Sequence, residues 1–395
     1  MTAVTTSPRE TALGLVNDIA ADLEALADPI DTGQRPPSSA YALIRESGLL
    51  AALIPTDRGG LGLDFADYTE VLAHIGAANG ALALGYNMHN VAIGSLFDAD
   101  ADALGSVGSA FRDWVVDEII RGKKLFASAA SEYGNGARLR GITTTYRSEP
   151  DHFVINGRKS FVSLAGVADY YVVTARPQDA ENDFEVSHFV VAGTDQGVSF
   201  DAQWNGTALA GTSTAAMYLT DTEIPRERLF LGVEGMSLFK AVREPHWMAG
   251  GYLGAYLGLA SAIVDFVTGR VDADDHRRTD PATIAALGSM TVDLAAARAL
   301  TMTAARAVTQ QRSQTPTNAL VYAAKYHLGV TAQSLAARAV QLTGSAAMAA
   351  DTPMQRLVRE VQFCSIMPAK PADCLSFVGR VQLGANMFDV SNHGW

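Results

Sequence analysis

The feature that most constrains the fold of this chain is the order in which its hydrophobic periodicity changes. From Pro8 to about Gly122 apolar residues recur at helical spacing, as in "ALGLVNDIAADLEAL", "YALIRESGLLAALI" and "DYTEVLAHIGAANGALALGYNMHNVAIGSLF". Between Leu125 and Gly232 the texture becomes short alternating or β-branched runs, such as "HFVING", "KSFVSL", "DYYVVTARP" and "SHFVVAG". Turn chemistry separates them, including Asn156-Gly157, a favoured hairpin dipeptide. This predicts a β unit of roughly seven or eight strands. From Ser237 onward long Ala-rich helical stretches return, for which packing as a bundle is the natural solution. Chains of the α/β class alternate their elements, and α+β chains segregate them once. A β unit between two helical units is therefore a restrictive order. It predicts an α+β chain with a helical domain over 1–124, a β domain over 125–235 and a helical bundle over 236–395.

Composition narrows the function classes. With 395 residues, 48% of them apolar, two or three packed units are expected. The net charge of −12 is spread along the chain and argues against a nucleic-acid or membrane-surface role. No uninterrupted apolar run approaches the roughly 20 residues of a membrane span, and the start "MTAVTTSPRE" lacks the basic and apolar regions of a signal peptide. A cytoplasmic location is the expectation. Cys364 and Cys374 are the only cysteines, so neither a disulfide framework nor a four-cysteine metal site can form. Asp98, Asp100 and Asp102 alternate like the start of an EF-hand loop, but Ala103 and Ser109 stand where that loop needs its glycine and its glutamate. Solvated acidic loops, and no metal site, are expected.

Four stretches, in order, resemble the acyl-CoA dehydrogenase superfamily across nearly the whole chain. They are "FASAASEYGNGARLRGI", "FVINGRKSFVSLAGVADYYVV", "YLTDTEIPRERLFLGVEG", and "AAKYHLGVTAQSLAARAVQLTGSAAM" followed by "TPMQRLVREVQ". The resemblance implies an N-terminal helical domain, a central β-barrel and a C-terminal four-helix bundle. It also implies FAD between barrel and bundle, with part of the site supplied by a second subunit of a homodimer or homotetramer. A flavin needs polar groups at its reactive edge, an apolar face against its ring, and donors for its phosphates. By match to the family, Phe161 takes the aromatic position, while Ser163 and Ser131 take hydroxyl positions near the ring. The bland alternative makes Phe161 strand core and Ser163 a strand-face residue. Gln341 and Gly344 match a motif that touches the adenine half across the dimer interface, with Ser345 replacing its second glycine. The pyrophosphate motif is broken, leaving Arg277 or Arg278 either as the donor or as a solvated loop residue.

Most of the family place a glutamate base about eight residues beyond an Arg-Asp pair. The matching pair here is Arg359-Glu360, and Pro368 occupies the base position. A minority place the glutamate on the first bundle helix, where one register selects Glu244 and another selects Met248. Pro245 predicts a helix start here, so Glu244 is equally a capping or surface residue beside Arg243. The family's commonest reaction makes α,β-dehydrogenation of an acyl thioester the first expectation. Glu244 would then remove the α-proton, hydride would pass to flavin N5, and electrons would leave to an electron-transfer flavoprotein. The rival is a two-component monooxygenase acting on a non-thioester substrate with reduced FMN or FAD from a flavin reductase. There His89 would assist, although a lone histidine in an apolar helix is more often structural. A flavin-binding protein without catalysis is the third reading. Trp247, Met248 and Tyr252, with Tyr256, share a helix face that either shapes the substrate pocket or is plain core.

Overall fold

The computed structural model describes residues 6–98, 104–136, 138, 141–237 and 244–386; Asp100, Asp102, Ala103 and Arg243, weighed above, lie outside them. Five helices open the chain: α1 (Pro8–Asp31), α2 (Ser38–Ser47), α3 (Phe65–Ala78), α4 (Gly80–Asp98) and α5 (Gly105–Ile120). Their starts follow from local chemistry. Ser7 Oγ accepts from the Glu10 N–H while the Glu10 carboxylate accepts from the Ser7 N–H, with Pro8 in the first turn. Asp64 caps α3 by accepting from the Asp67 N–H. Helix α4 is buried along almost its whole length because α3, the sheet and the C-terminal helices all pack on it.

The middle of the chain forms one mixed sheet of seven strands: β1 (Phe126–Ala129), β2 (Thr145–Ser148), β3 (His152–Val162), β4 (Tyr170–Pro177), β5 (Ser187–Ala192), β6 (Val198–Phe200) and β7 (Ala215–Pro225). Strand β4 carries β5 on one edge, and on the other β1 followed by β2; the sheet then continues through β3 and β7 to β6. The expected barrel is thus a curled sheet. The long β3–β7 pair shifts register between Ile155 and Gly157 and again between Lys159 and Val162. Such shifts bend a strand and re-aim its side chains. The second one spans Phe161.

A π-helical turn, His246–Gly250, leads into α6 (Leu253–Asp272). The rest of the chain is helical: α7 (Asp275–Thr279), α8 (Pro281–Gln311), α9 (Thr315–Thr343), α10 (Pro353–Glu360) and α11 (Pro371–Gln382). Helix α9 packs against α6, α8 and α11 and so forms the axis of the bundle. By length and composition two helices, 250–272 and 281–311, would suffice to cross a bilayer, which inspection for uninterrupted apolar runs did not anticipate. The first is 83% buried inside the protein, as a core helix is.

The first and third units interlock through glycines. A Cβ on Gly258 of α6 would lie 2.3 Å from the Ala73 carbonyl oxygen of α3, and one on Gly76 of α3 would lie 2.7 Å from the Ala255 carbonyl oxygen of α6. Only residues without a side chain allow the two backbones to approach so closely.

Candidate functional site

The site is organised by a buried ion pair at the start of the sheet. Lys159 Nζ donates to Glu132 Oε1 at 2.7 Å and to Thr174 Oγ1 at 3.0 Å. The Glu132 carboxylate also accepts from the backbone N–H groups and hydroxyls of both Thr143 and Thr144, at 2.6–3.0 Å. Burial alone would raise the Glu132 pKa, but the Lys159 charge and these hydrogen bonds outweigh it and hold the carboxyl well below its ordinary value. The clamp ties the loop after β1 to β2, β3 and β4. Beside it the Ser160 N–H donates to the Ser131 carbonyl oxygen at 2.8 Å, which sets Ser131 next to Phe161.

Phe161 has a φ of +54° and its side chain is 60% exposed. A bulky residue in the left-handed region costs free energy, and such strain collects at functional sites. The ring meets Trp204 edge-to-face at 5.9 Å, and Trp204 meets Phe363 in the same way at 6.0 Å. These three rings form a partly exposed aromatic ladder from the sheet to the 3-10 turn after α10. Ser163 Oγ lies 3.4 Å from Thr214 Oγ1, which lies 2.8 Å from Thr212 Oγ1. The structure therefore places Ser131, Phe161 and Ser163 close to one another at the C-terminal end of β3. Trp204 was not singled out from sequence; its signal is an aromatic within the polar turn "DAQWNG".

Arg277, Gln341 and Gly344 form a second group. Arg277 donates to the Leu342 carbonyl oxygen at 3.0 Å and lies 3.3 Å from the Asp274 carboxylate. Gln341 is exposed in the last turn of α9, and Gly344, at φ +77° and ψ −178°, ends that helix. Gly344 alone carries the unusual backbone; Ser345 begins an ordinary 3-10 turn, so the missing second glycine is accommodated.

His89 is fully buried. Its Nδ1 accepts from the Phe126 N–H at 3.0 Å and its Nε2 lies 2.9 Å from the Leu50 carbonyl oxygen. Both ring nitrogens are thus spent on backbone, and burial lowers the pKa to about 4. The ring is a neutral core strut and offers no nitrogen to a ligand, contrary to the pocket role weighed above.

A π-helical turn lies between Glu244 and α6. Its extra residue per turn breaks the 3.6-residue phase between Glu244 and α6. Glu244 is partly exposed just ahead of that turn, and its carbonyl oxygen accepts from the Trp247 N–H at 3.0 Å. Trp247 Nε1 donates to Asp98 Oδ2 at 2.7 Å, beside His246 Nε2 at 2.7 Å and Arg312 at 3.1 Å. Trp247 also lines a cavity of about 410 Å³ at the C-terminal end of α4, with Phe65, Phe97, Asp98 and Arg312. Met248 is partly exposed, whereas Tyr252 points elsewhere, stacking on Tyr256 at 5.8 Å. The four residues therefore do not share one pocket wall.

Two buried ionisable groups stand out only in the structure: Glu360, named above as half of the Arg359-Glu360 pair, and Lys325. Glu360 is 1% exposed; burial raises its pKa to about 7 despite Arg356 at 3.3 Å. Its carboxylate rests against Gly80, the first residue of α4. Lys325 donates to the carbonyl oxygens of Cys364 at 2.9 Å and Met367 at 3.3 Å. The signal for Lys325 was its place as the only charged residue on the buried face of α9.

Comparison with known proteins agrees with this geometry. Models of the acyl-CoA dehydrogenase N-terminal, middle and C-terminal domains match residues 9–100, 127–222 and 245–368. The chain is 26% identical to the mitochondrial short-chain specific acyl-CoA dehydrogenase of Mus musculus, over 87% of this chain and 82% of that protein. It is also 26% identical to the amino sugar nitrososynthase DnmZ of Streptomyces peucetius, over 92% and 90%. Among solved structures, KijD3 in complex with FMN and a dTDP-linked amino keto sugar superposes with a TM-score of 0.85 at 21% identity, covering 99% of this chain and 97% of that one. The three domain models follow one another over most of the chain, and the chain belongs to the acyl-CoA dehydrogenase family.

Proposed function

We propose that this flavin-dependent oxidoreductase is a two-component monooxygenase, taking reduced flavin from a reductase and acting on a non-thioester substrate. The observation that carries the reading is the segment where most of the family hold their base. Residue 368 is a proline, and the charged side chain anchoring its neighbours is the Lys325 cation. The segment 364–369 itself carries no carboxylate to take an α-proton. The residues fit a flavin ring: Phe161 and Trp204 offer aromatic surface, and Ser131 and Ser163 offer hydroxyls, with Ser131 and Phe161 close in sequence to the Glu132–Lys159 clamp. They fit the pyrophosphate of FAD less well, since Arg277 is engaged by Asp274 and the Leu342 carbonyl. FMN, which lacks the adenine half, makes the smaller demand. The similarity to DnmZ and to the FMN complex of KijD3 supports the same choice.

When bound, reduced flavin supplies the two electrons with which O2 is split between product and water. The chain's own residues would orient that group: Phe161, Trp204 and Phe363 would offer it an apolar surface, and Ser163 a hydroxyl for its polar edge.

A second reading, acyl thioester dehydrogenation with Glu244 as base and an electron-transfer flavoprotein as acceptor, is favoured by one observation. Glu244 stands directly before a π-helical turn, a feature frequent at functional sites. One set of titrations separates the two. The monooxygenase reading expects reduced FMN to bind more tightly than oxidised FAD, and a series of acyl-CoA chain lengths to leave bound oxidised flavin unbleached without oxygen. Anaerobic bleaching by an acyl-CoA, abolished in Glu244→Gln, would overturn it in favour of dehydrogenation.

A further inference from the structure

Lys325 is 2% exposed, and among the described residues no carboxylate pairs with it. Burying a lone cation is costly unless its donors are satisfied. Here backbone satisfies them. The ammonium has three N–H bonds, and the carbonyl oxygens of Cys364, Met367 and Ala369 lie 2.9, 3.3 and 3.5 Å away. The Tyr256 ring lies beneath the charge at 5.0 Å, within cation–π range, with Tyr252 at 6.0 Å. The Tyr256 hydroxyl in turn donates to the Phe363 carbonyl oxygen at 3.4 Å.

A methionine would fill much of the same space without the burial penalty. What it could not do is gather three carbonyls of the segment 363–369, that of Cys364 in the closing 3-10 turn and those of Met367 and Ala369 beyond it, the last also accepting from Cys374 Sγ at 3.6 Å. That segment begins at Phe363, whose ring closes the ladder against Trp204, and contains Pro368. We infer that Lys325 is the positioning residue of the flavin-facing wall. Its ammonium draws together the carbonyls of residues 364–369, and so fixes Phe363 against Trp204 and holds Pro368 in its place. This rests on the reading that flavin lies along Phe161 and Trp204.

The test compares two variants of the full chain in two measurements. Lys325→Met removes the donors, while Lys325→Arg keeps charge and donors; if the larger arginine prevents folding, Lys325→Gln, with two N–H donors, replaces it. The first measurement is amide hydrogen exchange across residues 363–369, and the second is the dissociation constant for FMN. In Lys325→Met, exchange in this segment should rise and FMN binding should weaken about tenfold, the effect of leaving a buried acceptor unsatisfied. The donor-keeping variant should stay closer to the parent in both. Lower melting temperatures with exchange at 363–369 and FMN affinity unchanged would overturn the inference and leave Lys325 a fold stabiliser. If the parent itself binds no flavin, the flavin reading fails, and the exchange data alone decide whether Lys325 fixes the segment.

Discussion

Lys159 and Glu132 meet at 2.7 Å with the lysine side chain fully enclosed and the glutamate 4% exposed. Removing one partner leaves the other charge buried and unpaired. Glu132→Gln should therefore cost about 3–5 kcal/mol of stability, and adding Lys159→Met should restore part of it. Urea unfolding of the two single variants and the double variant measures both. The native Glu132 pKa lies below the ordinary value of 4.5, so its contribution is complete above that pH and lost as the pH falls below it. The Gln variant should accordingly lose its disadvantage in acid.

Phe161 should show opposed effects on stability and binding. Glycine adopts its left-handed backbone without strain, so Phe161→Gly should relieve about 1 kcal/mol and raise the melting temperature. The same change removes the ring from the aromatic ladder and should weaken flavin binding, read by titration with FMN.

Glu360 should make the protein less stable as the pH rises. Its native pKa of about 7 lies above the ordinary 4.5, so its contribution is fully present below 4.5 and lost as the pH rises through 7. Glu360→Gln should gain on the parent across that window by on the order of 2 kcal/mol. Denaturant unfolding at pH 5 and pH 8 checks the direction.

His89 should prove structural. Its native pKa of about 4 lies below the ordinary 6.5, so the neutral ring stabilises the fold above 6.5 and that contribution is lost as the pH falls through 4. His89→Leu leaves the Phe126 N–H and the Leu50 carbonyl without their partner and should cost about 2–4 kcal/mol. FMN affinity in the folded variant should not change.

The order of periodicities was legible because each unit is long and repeats its own spacing: α4, β3 and α9 all lie inside the segments their patterns predicted. Phe161 and Ser163 were singled out through family resemblance and not through pattern, since alternation would have placed Phe161 as an ordinary strand residue. Its left-handed backbone comes from the β3–β7 register shift, which pairs residues about 60 positions apart and leaves no local trace. The face shared by Trp247, Met248 and Tyr252 failed for a related reason. A π-helical turn changes the phase, and a helical wheel drawn at 3.6 residues per turn carries the error forward. Lys325 escaped notice because its partners are backbone carbonyls about 40 residues away, and Glu360 was read only as half of the Arg359-Glu360 pair because its burial against Gly80 of α4 leaves no local trace.

The close approach of α3 and α6 at Gly76 and Gly258 bears on how the chain is made. The backbone of α3 finds its mate only after some 180 further residues have been synthesised. The first helices to leave the ribosome therefore wait, with an apolar face uncovered, while the intervening sheet is completed. The sheet's strands pair with one another and are complete before α6 is made, so they need not wait for that docking. A larger side chain at either glycine would act late, at the docking of two already formed helices. Such a lesion should accumulate a chain whose sheet is native and whose ends remain unjoined.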